Sequence, residues 1–161
     1  MPTSMKIGNP QRYLLVINKN KEYSLKGKDG NKTFTAPASQ KGKPKLYTVS
    51  TNGKLHYVGI TNQPMSTRLR LGLNAMGEHG YYGYKLKPGN YLLHVWSIEN
   101  LSPDKREAND ELETIEAEVV FLCRKETGRW PRSQNEIHFH PSNRHHRELA
   151  KRIYKCIKRQ E

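Results

Sequence analysis

At 161 residues the chain has room for one domain with a real core and too little for two full ones. Hydrophobic residues make up 34%; no apolar run approaches the roughly 20 residues of a membrane-spanning helix, and the N-terminus lacks the apolar stretch of a signal peptide, so a cytoplasmic protein without a membrane partner is expected. Lys and Arg total 28 against 15 for Asp and Glu, a net charge of +13 that suits a polyanionic partner, because a basic surface gains affinity by displacing counterions from phosphates.

Residues 11–35 hold the apolar run Tyr13-Leu14-Leu15-Val16-Ile17 and then a Lys- and Gly-rich stretch, which predicts a short strand and a loose hairpin. Residues 36–45, punctuated by Pro, Gly and Lys, read as a linker. Leu46-Tyr47-Thr48-Val49-Ser50 and Lys54-Leu55-His56-Tyr57-Val58-Gly59-Ile60 are β-prone runs around Thr51-Asn52-Gly53. An Asn-Gly pair tolerates the positive φ of a tight turn, so 46–60 is predicted to be a β-hairpin. Pro64 opens a helix carrying Leu69, Leu73 and Met76, with Gly77 as its stop. A Gly/Tyr/Lys-rich loop at 80–90 precedes a strand, Tyr91-Leu92-Leu93-His94-Val95-Trp96-Ser97-Ile98, long enough to be central. The longest helix spans 104–127 on the stripe Ala108, Leu112, Ile115, Val119, Leu122 and Cys123, and Gly128 ends it. Residues 129–143 read as a loop with room for a short Ile137-His138-Phe139 strand. A last helix begins near Ser142 or Asn143, turning Leu149, Ile153, Cys156 and Ile157 inward and Arg147, Lys151, Arg152, Lys155, Lys158 and Arg159 outward. Cys123 and Cys156 both fall on apolar faces and read as small core residues. The sum is an α+β fold with a small antiparallel sheet flanked by helices. It divides into an N-terminal extension (1–44), a core (45–140) and a basic C-terminal helix packed on that core (141–161).

Tyr47 and Tyr57 lie on paired strands and can present two phenols on one side. Arg68, on the next helix, offers a planar fork matched to phosphate oxygens. The following long helix carries Glu111, Glu113, Glu116 and Glu118. At about 100° per residue Glu113 points most nearly to solvent, and Glu116 and Glu118 flank the apolar stripe; periodicity does not choose between those two.

This order of elements resembles the core of the GIY-YIG nucleases. In that family a Gly-Ile-Tyr strand and a Tyr-Ile-Gly strand form a hairpin; here they read Lys45-Leu46-Tyr47 and Tyr57-Val58-Gly59. The run continues as Ile60-Thr61-Asn62 into a helix carrying Arg68-Leu69, and Ile115-Glu116-Ala117-Glu118-Val119-Val120 looks like the family's acidic helix, with Glu116 at the pattern's carboxylate. Asn135 is the match for the asparagine that follows. It lies further from Glu116 than the compact family spacing, which implies an insertion around Arg129-Trp130-Pro131 and a bracing role. The resemblance covers roughly residues 45–140. It implies a metal-dependent endonuclease in which Tyr47, Tyr57, Arg68, Glu116 and Asn135 form the site and Glu116 holds one Mg²⁺ or Mn²⁺. The expected substrate is double-stranded DNA, cut as by small restriction or defence enzymes, with homodimerisation left open and Lys151, Arg152 and Lys155 as phosphate contacts. The alternative is a non-catalytic nucleic-acid-binding protein on the same scaffold.

One departure stands out. The family often has a His four residues after the Arg, and here that position is Gly72; His79, Tyr81 and Tyr82 are the candidates to replace it. His138 and His140 are spaced to share one face, yet no cysteine stands near them to complete a structural zinc site, and polar or phosphate contacts are the favoured reading.

Overall fold

In the chain's computed structural model, which describes residues 5–78, 83–134 and 137–160, Asn52 (φ 51°) and Gly53 (φ 77°) form the tight turn that the sequence predicts. They join β4 (Lys45–Thr51) to β5 (Lys54–Thr61). Before this hairpin come β1 (Lys6–Ile7), β2 (Gln11–Ile17) and β3 (Tyr23–Gly27); after it come α1 (Met65–Asn74), β6 (Gly89–Glu99), α2 (Lys105–Thr127) and α3 (Arg144–Arg159). Among the described residues all strands join one antiparallel sheet of six, ordered β3-β2-β6-β4-β5, with β1 pairing to the far end of β6.

The sheet is larger than the small one expected. β2 pairs with β6 along its whole length, Gln11 opposite Val95 to Ile17 opposite Gly89, and β3 continues the sheet outward. The pattern of β2 explains this. Tyr13, Leu15 and Ile17 are buried and Arg12, Leu14 and Val16 exposed, the alternation of a strand with one face on a core. The segment 36–45 is also more than a linker. Ala38 is buried, its N–H donates to Gln11 Oε1 (2.9 Å), and its carbonyl accepts from Met65 N–H at the start of α1 (2.9 Å).

Period-two alternation sorts the strands between two cores. Leu46, Val58, Trp96 and Ile98 face α2 and α3, where they meet Leu112, Ile115, Val119, Ile153 and Ile157. Tyr47, Val49, Tyr57, Leu93 and Val95 face the opposite side and meet Met65, Leu69 and Leu73 of α1, with Tyr84 from the following loop. Each such aliphatic side chain, fully buried, contributes about 1.5–3 kcal/mol, so both layers hold the hairpin in place.

α2 starts and stops, and α3 starts, where their sequences say. Asp104 caps α2 by accepting from Glu107 N–H (3.0 Å), and Gly128, at φ 76°, closes it by donating to the Arg124 carbonyl. Asn143 and His146 form a reciprocal capping box at the start of α3. Two expectations fail locally. α1 stops at Asn74, so Met76 lies beyond it and is 79% exposed, and residues 137–140 form no strand. Among the described residues no helix is long and apolar enough to cross a membrane.

Candidate active site

Tyr47 sits opposite Gly59 in the hairpin, and its ring lies across that glycine. A Cβ at position 59 would stand 2.5 Å from Tyr47 Cζ and Oη, so any other residue in the Tyr57-Val58-Gly59 motif would displace the ring. Tyr57 projects from the same face, with its ring centroid 6.1 Å from that of Tyr47. The structure therefore brings the two predicted tyrosines together.

Arg68 joins them. Its Nε donates to the Tyr47 hydroxyl at 3.2 Å. The fourth member, Tyr84, was not expected. Its hydroxyl lies 2.8 Å from that of Tyr47 and donates to the backbone carbonyl of Arg68 at 3.1 Å. Each phenol has one proton, so the directions follow: Arg68 Nε–H to Tyr47, Tyr47 O–H to Tyr84, Tyr84 O–H to the Arg68 carbonyl. This closed ring of donors satisfies groups that would otherwise be expensive to bury, since Tyr47 and Tyr84 are both fully covered. Tyr84 also packs edge-on against Tyr57, with ring centroids 4.7 Å apart, and the Arg68 guanidinium lies 5.9 Å from its ring centre. Tyr57 is 8% exposed and Arg68 half-buried, so these two are the members nearest to solvent.

Gly72 explains how Tyr84 fits. A Cβ on Gly72 would lie 2.2 Å from Tyr84 Cε2 and Cζ, so the tyrosine ring fills the space that a side chain at position 72 would take. The Tyr84 N–H donates to the Gly72 carbonyl (3.1 Å), and Gly83, at φ +70°, brings the loop close enough to do so. The sequence signal was present: a glycine inside a helix where the resembled family carries a histidine. The proposed substitutes His79, Tyr81 and Tyr82 lie outside the described residues, as does Asn135.

Glu116 is buried on α2 at 8% exposure, whereas Glu118 is half-buried. Its neighbours Ile115 and Val119 belong to the helical core on the other face of the sheet from Tyr47. Glu113 is not the solvated residue that periodicity predicts. Segment 137–140 lies over it, leaving its side chain 15% exposed, and His138 Nδ1 and His140 Nε2 approach its Oε2 at 3.9 and 3.5 Å. Asp110 Oδ1 is 3.7 Å from the same His140 nitrogen. One ligand atom from each of Asp110, Glu113 and His140 lies within 4.8 Å of the others, a spacing that a divalent cation can bridge. The paired histidines thus contact carboxylates.

Lys151, Arg152 and Lys155 are all exposed on α3. Lys45, beside Tyr47, is by contrast fully buried: its Nζ donates to the carbonyls of Gln40 (2.8 Å) and Lys43 (2.7 Å), and burial pushes its pKa down to about 8. No family model matches the chain, and no curated protein or solved structure matches it either.

Proposed function

We propose that the protein is a metal-dependent endonuclease acting on double-stranded DNA, of restriction or defence type, built on a GIY-YIG-like scaffold. The observation that carries the reading is the closed hydrogen-bond ring of Arg68, Tyr47 and Tyr84 with Tyr57 packed against it. A solvated face or ordinary hairpin packing needs no arginine directed at a buried phenol. Phosphodiester hydrolysis gains from a guanidinium of fixed orientation, because the two-pronged contact with phosphate depends on the plane of the fork.

In this reading the roles divide by exposure. Tyr47 and Tyr84, fully covered, position Arg68. Arg68 meets the phosphate and stabilises the charge that builds on its equatorial oxygens. Tyr57, at the edge of the cluster, would act in its phenolate form, taking the proton from the attacking water and becoming the neutral phenol. Glu116 is a carboxylate that offers oxygen donors only, the donor type that hard cations prefer, and it would hold one Mg²⁺ or Mn²⁺. Such a cation would supply charge relief at the leaving oxygen. Asn135 keeps its proposed bracing role.

The test is incubation of supercoiled plasmid with the protein in Mg²⁺, Mn²⁺ or EDTA. Nicking or linearisation that requires the metal and is lost in Arg68→Ala supports the reading. One feature favours the non-catalytic alternative, namely the complete covering of Tyr47. Metal-independent binding of plasmid without any cleavage, in wild type and Arg68→Ala alike, would establish it.

A further inference from the structure

The helical layer stops short of the sheet's outer edge. Leu46, Val58 and Trp96 lie under α2 and α3, but on the same face of β2 the side chains of Leu14 and Val16 are 53% and 42% exposed. Strand register places Lys26 directly across from Leu14 on one side and Leu92 across from it on the other. Where the bare part of the sheet meets α3 there is a groove of about 820 Å³. Lys26 and Lys28 line it from β3 and its turn, Arg152 and Lys155 from α3, and Arg12 from β2. Leu14, Leu92 and Trp96 supply its apolar part, and Asp29 is the one carboxylate among the described residues that line it.

Among the described residues none of Arg12, Lys26, Lys28, Arg152 and Lys155 has an ion-pair partner. All five are exposed. Like charges drawn from three elements around one depression repel each other, and a polyanion relieves that repulsion as it enters. None of Tyr47, Tyr57, Tyr84 and Arg68 lines the groove, and its floor at Trp96 belongs to the core on the opposite face of the sheet, so it is separate from the candidate active site.

We propose that this groove binds a single-stranded segment of nucleic acid. Its two basic walls suit a phosphodiester backbone, and its apolar floor suits unpaired bases. A duplex turns its bases inward and presents only phosphate and sugar to such a surface, which would leave the exposed Leu14 uncovered. The inference does not rest on cleavage chemistry.

Binding of a short fluorescent single strand and of its blunt duplex is measured by anisotropy in EDTA across a range of salt. The pairs Lys26→Gln/Lys28→Gln and Arg152→Gln/Lys155→Gln each remove two phosphate contacts. Each is expected to lower the single-strand slope of log K against log salt by about 1.4, weakening binding about tenfold near 0.15 M salt. Leu14→Ser is expected to weaken single-strand binding with the slope unchanged, because it removes an apolar contact only. Lys105→Gln/Arg106→Gln takes the same charge from an exposed site outside the groove and is expected to change the slope little. Urea midpoints of all variants check that the fold is kept. Equal losses from the groove pairs and the control pair would overturn the proposal in favour of diffuse charge. Equal losses for duplex and single strand would overturn it in favour of a duplex track.

Discussion

Gly72→Ala isolates the one place where the site departs from the pattern it resembles. The added Cβ would lie 2.2 Å from two ring atoms of Tyr84, where ordinary carbon contacts are about 3.5–4.0 Å. The ring has no room to retreat, being fully covered and flanked by Tyr57 at 4.7 Å and Tyr47 at 6.0 Å between centroids. Overpacking of this kind costs about 1–3 kcal/mol, and loss of the Tyr47–Tyr84 hydrogen bond adds about 1 kcal/mol. Against this, Ala in place of Gly inside a helix gains about 0.5–1 kcal/mol. The net expectation is a loss of about 1–3 kcal/mol in the otherwise unaltered chain. In a Tyr84→Ala background the clash partner is absent, so the same change is expected to stabilise by about 0.5–1 kcal/mol. The sign therefore reverses, with a coupling of about 2–4 kcal/mol between positions 72 and 84. Urea unfolding of the four proteins, followed by Trp96 and Trp130 fluorescence, measures it. A Gly72→Ala change that stabilises both backgrounds, or destabilises both equally, refutes the claim that Tyr84 occupies the space vacated at position 72.

Arg68→Lys is expected to impair plasmid cleavage nearly as much as Arg68→Ala, since it keeps the charge and loses the fork; near wild-type nicking by the lysine variant would reduce Arg68 to general charge. Glu116→Gln is expected to abolish metal-dependent cleavage with DNA affinity retained, read by plasmid nicking beside a gel-shift titration. If Glu116→Gln cuts and Glu113→Gln does not, the cation belongs to the Asp110–Glu113–His140 cluster instead. Lys45 has a definite sign with pH. Its folded pKa of about 8 is below the unfolded value near 10.5, so the folded state releases its proton first and stability rises as pH climbs from 8. Relative to Lys45→Met, the wild-type protein should gain about 2 kcal/mol between pH 7 and 9.5, measured by urea unfolding; a flat difference would mean that the ammonium is well solvated. Asn143→Ala removes the side-chain half of the α3 capping box and is expected to cost about 1 kcal/mol of stability with little effect on the Arg68 cluster; a change in plasmid cleavage by this variant would show that α3 also supports the site.

The elements set by local rules were readable in the sequence. Asn52-Gly53 determined the hairpin because few other pairs accept two positive φ values, and Asp104 and Gly128 bounded α2 because a helix needs a side-chain acceptor at one end and a left-handed residue at the other. The juxtaposition of Tyr47, Tyr57 and Arg68 was also legible, since strand pairing and a short connection leave little freedom in where they lie. Other features depended on residues far apart in the chain. Tyr84 joins the ring only because Gly72 leaves room for it and Gly83 lets the loop approach. Glu113 loses its solvent because the histidine segment folds back over α2, which no periodicity within α2 can report. The apparent linker became a packed strap because Gln11 and Met65, on two other elements, take up its backbone groups at Ala38. The basic groove exists only because β2 and β3 extend the sheet beyond the reach of α3, bringing Lys26 and Arg152 to one depression. Composition supplied the charge, and the sheet's width decided where it gathers.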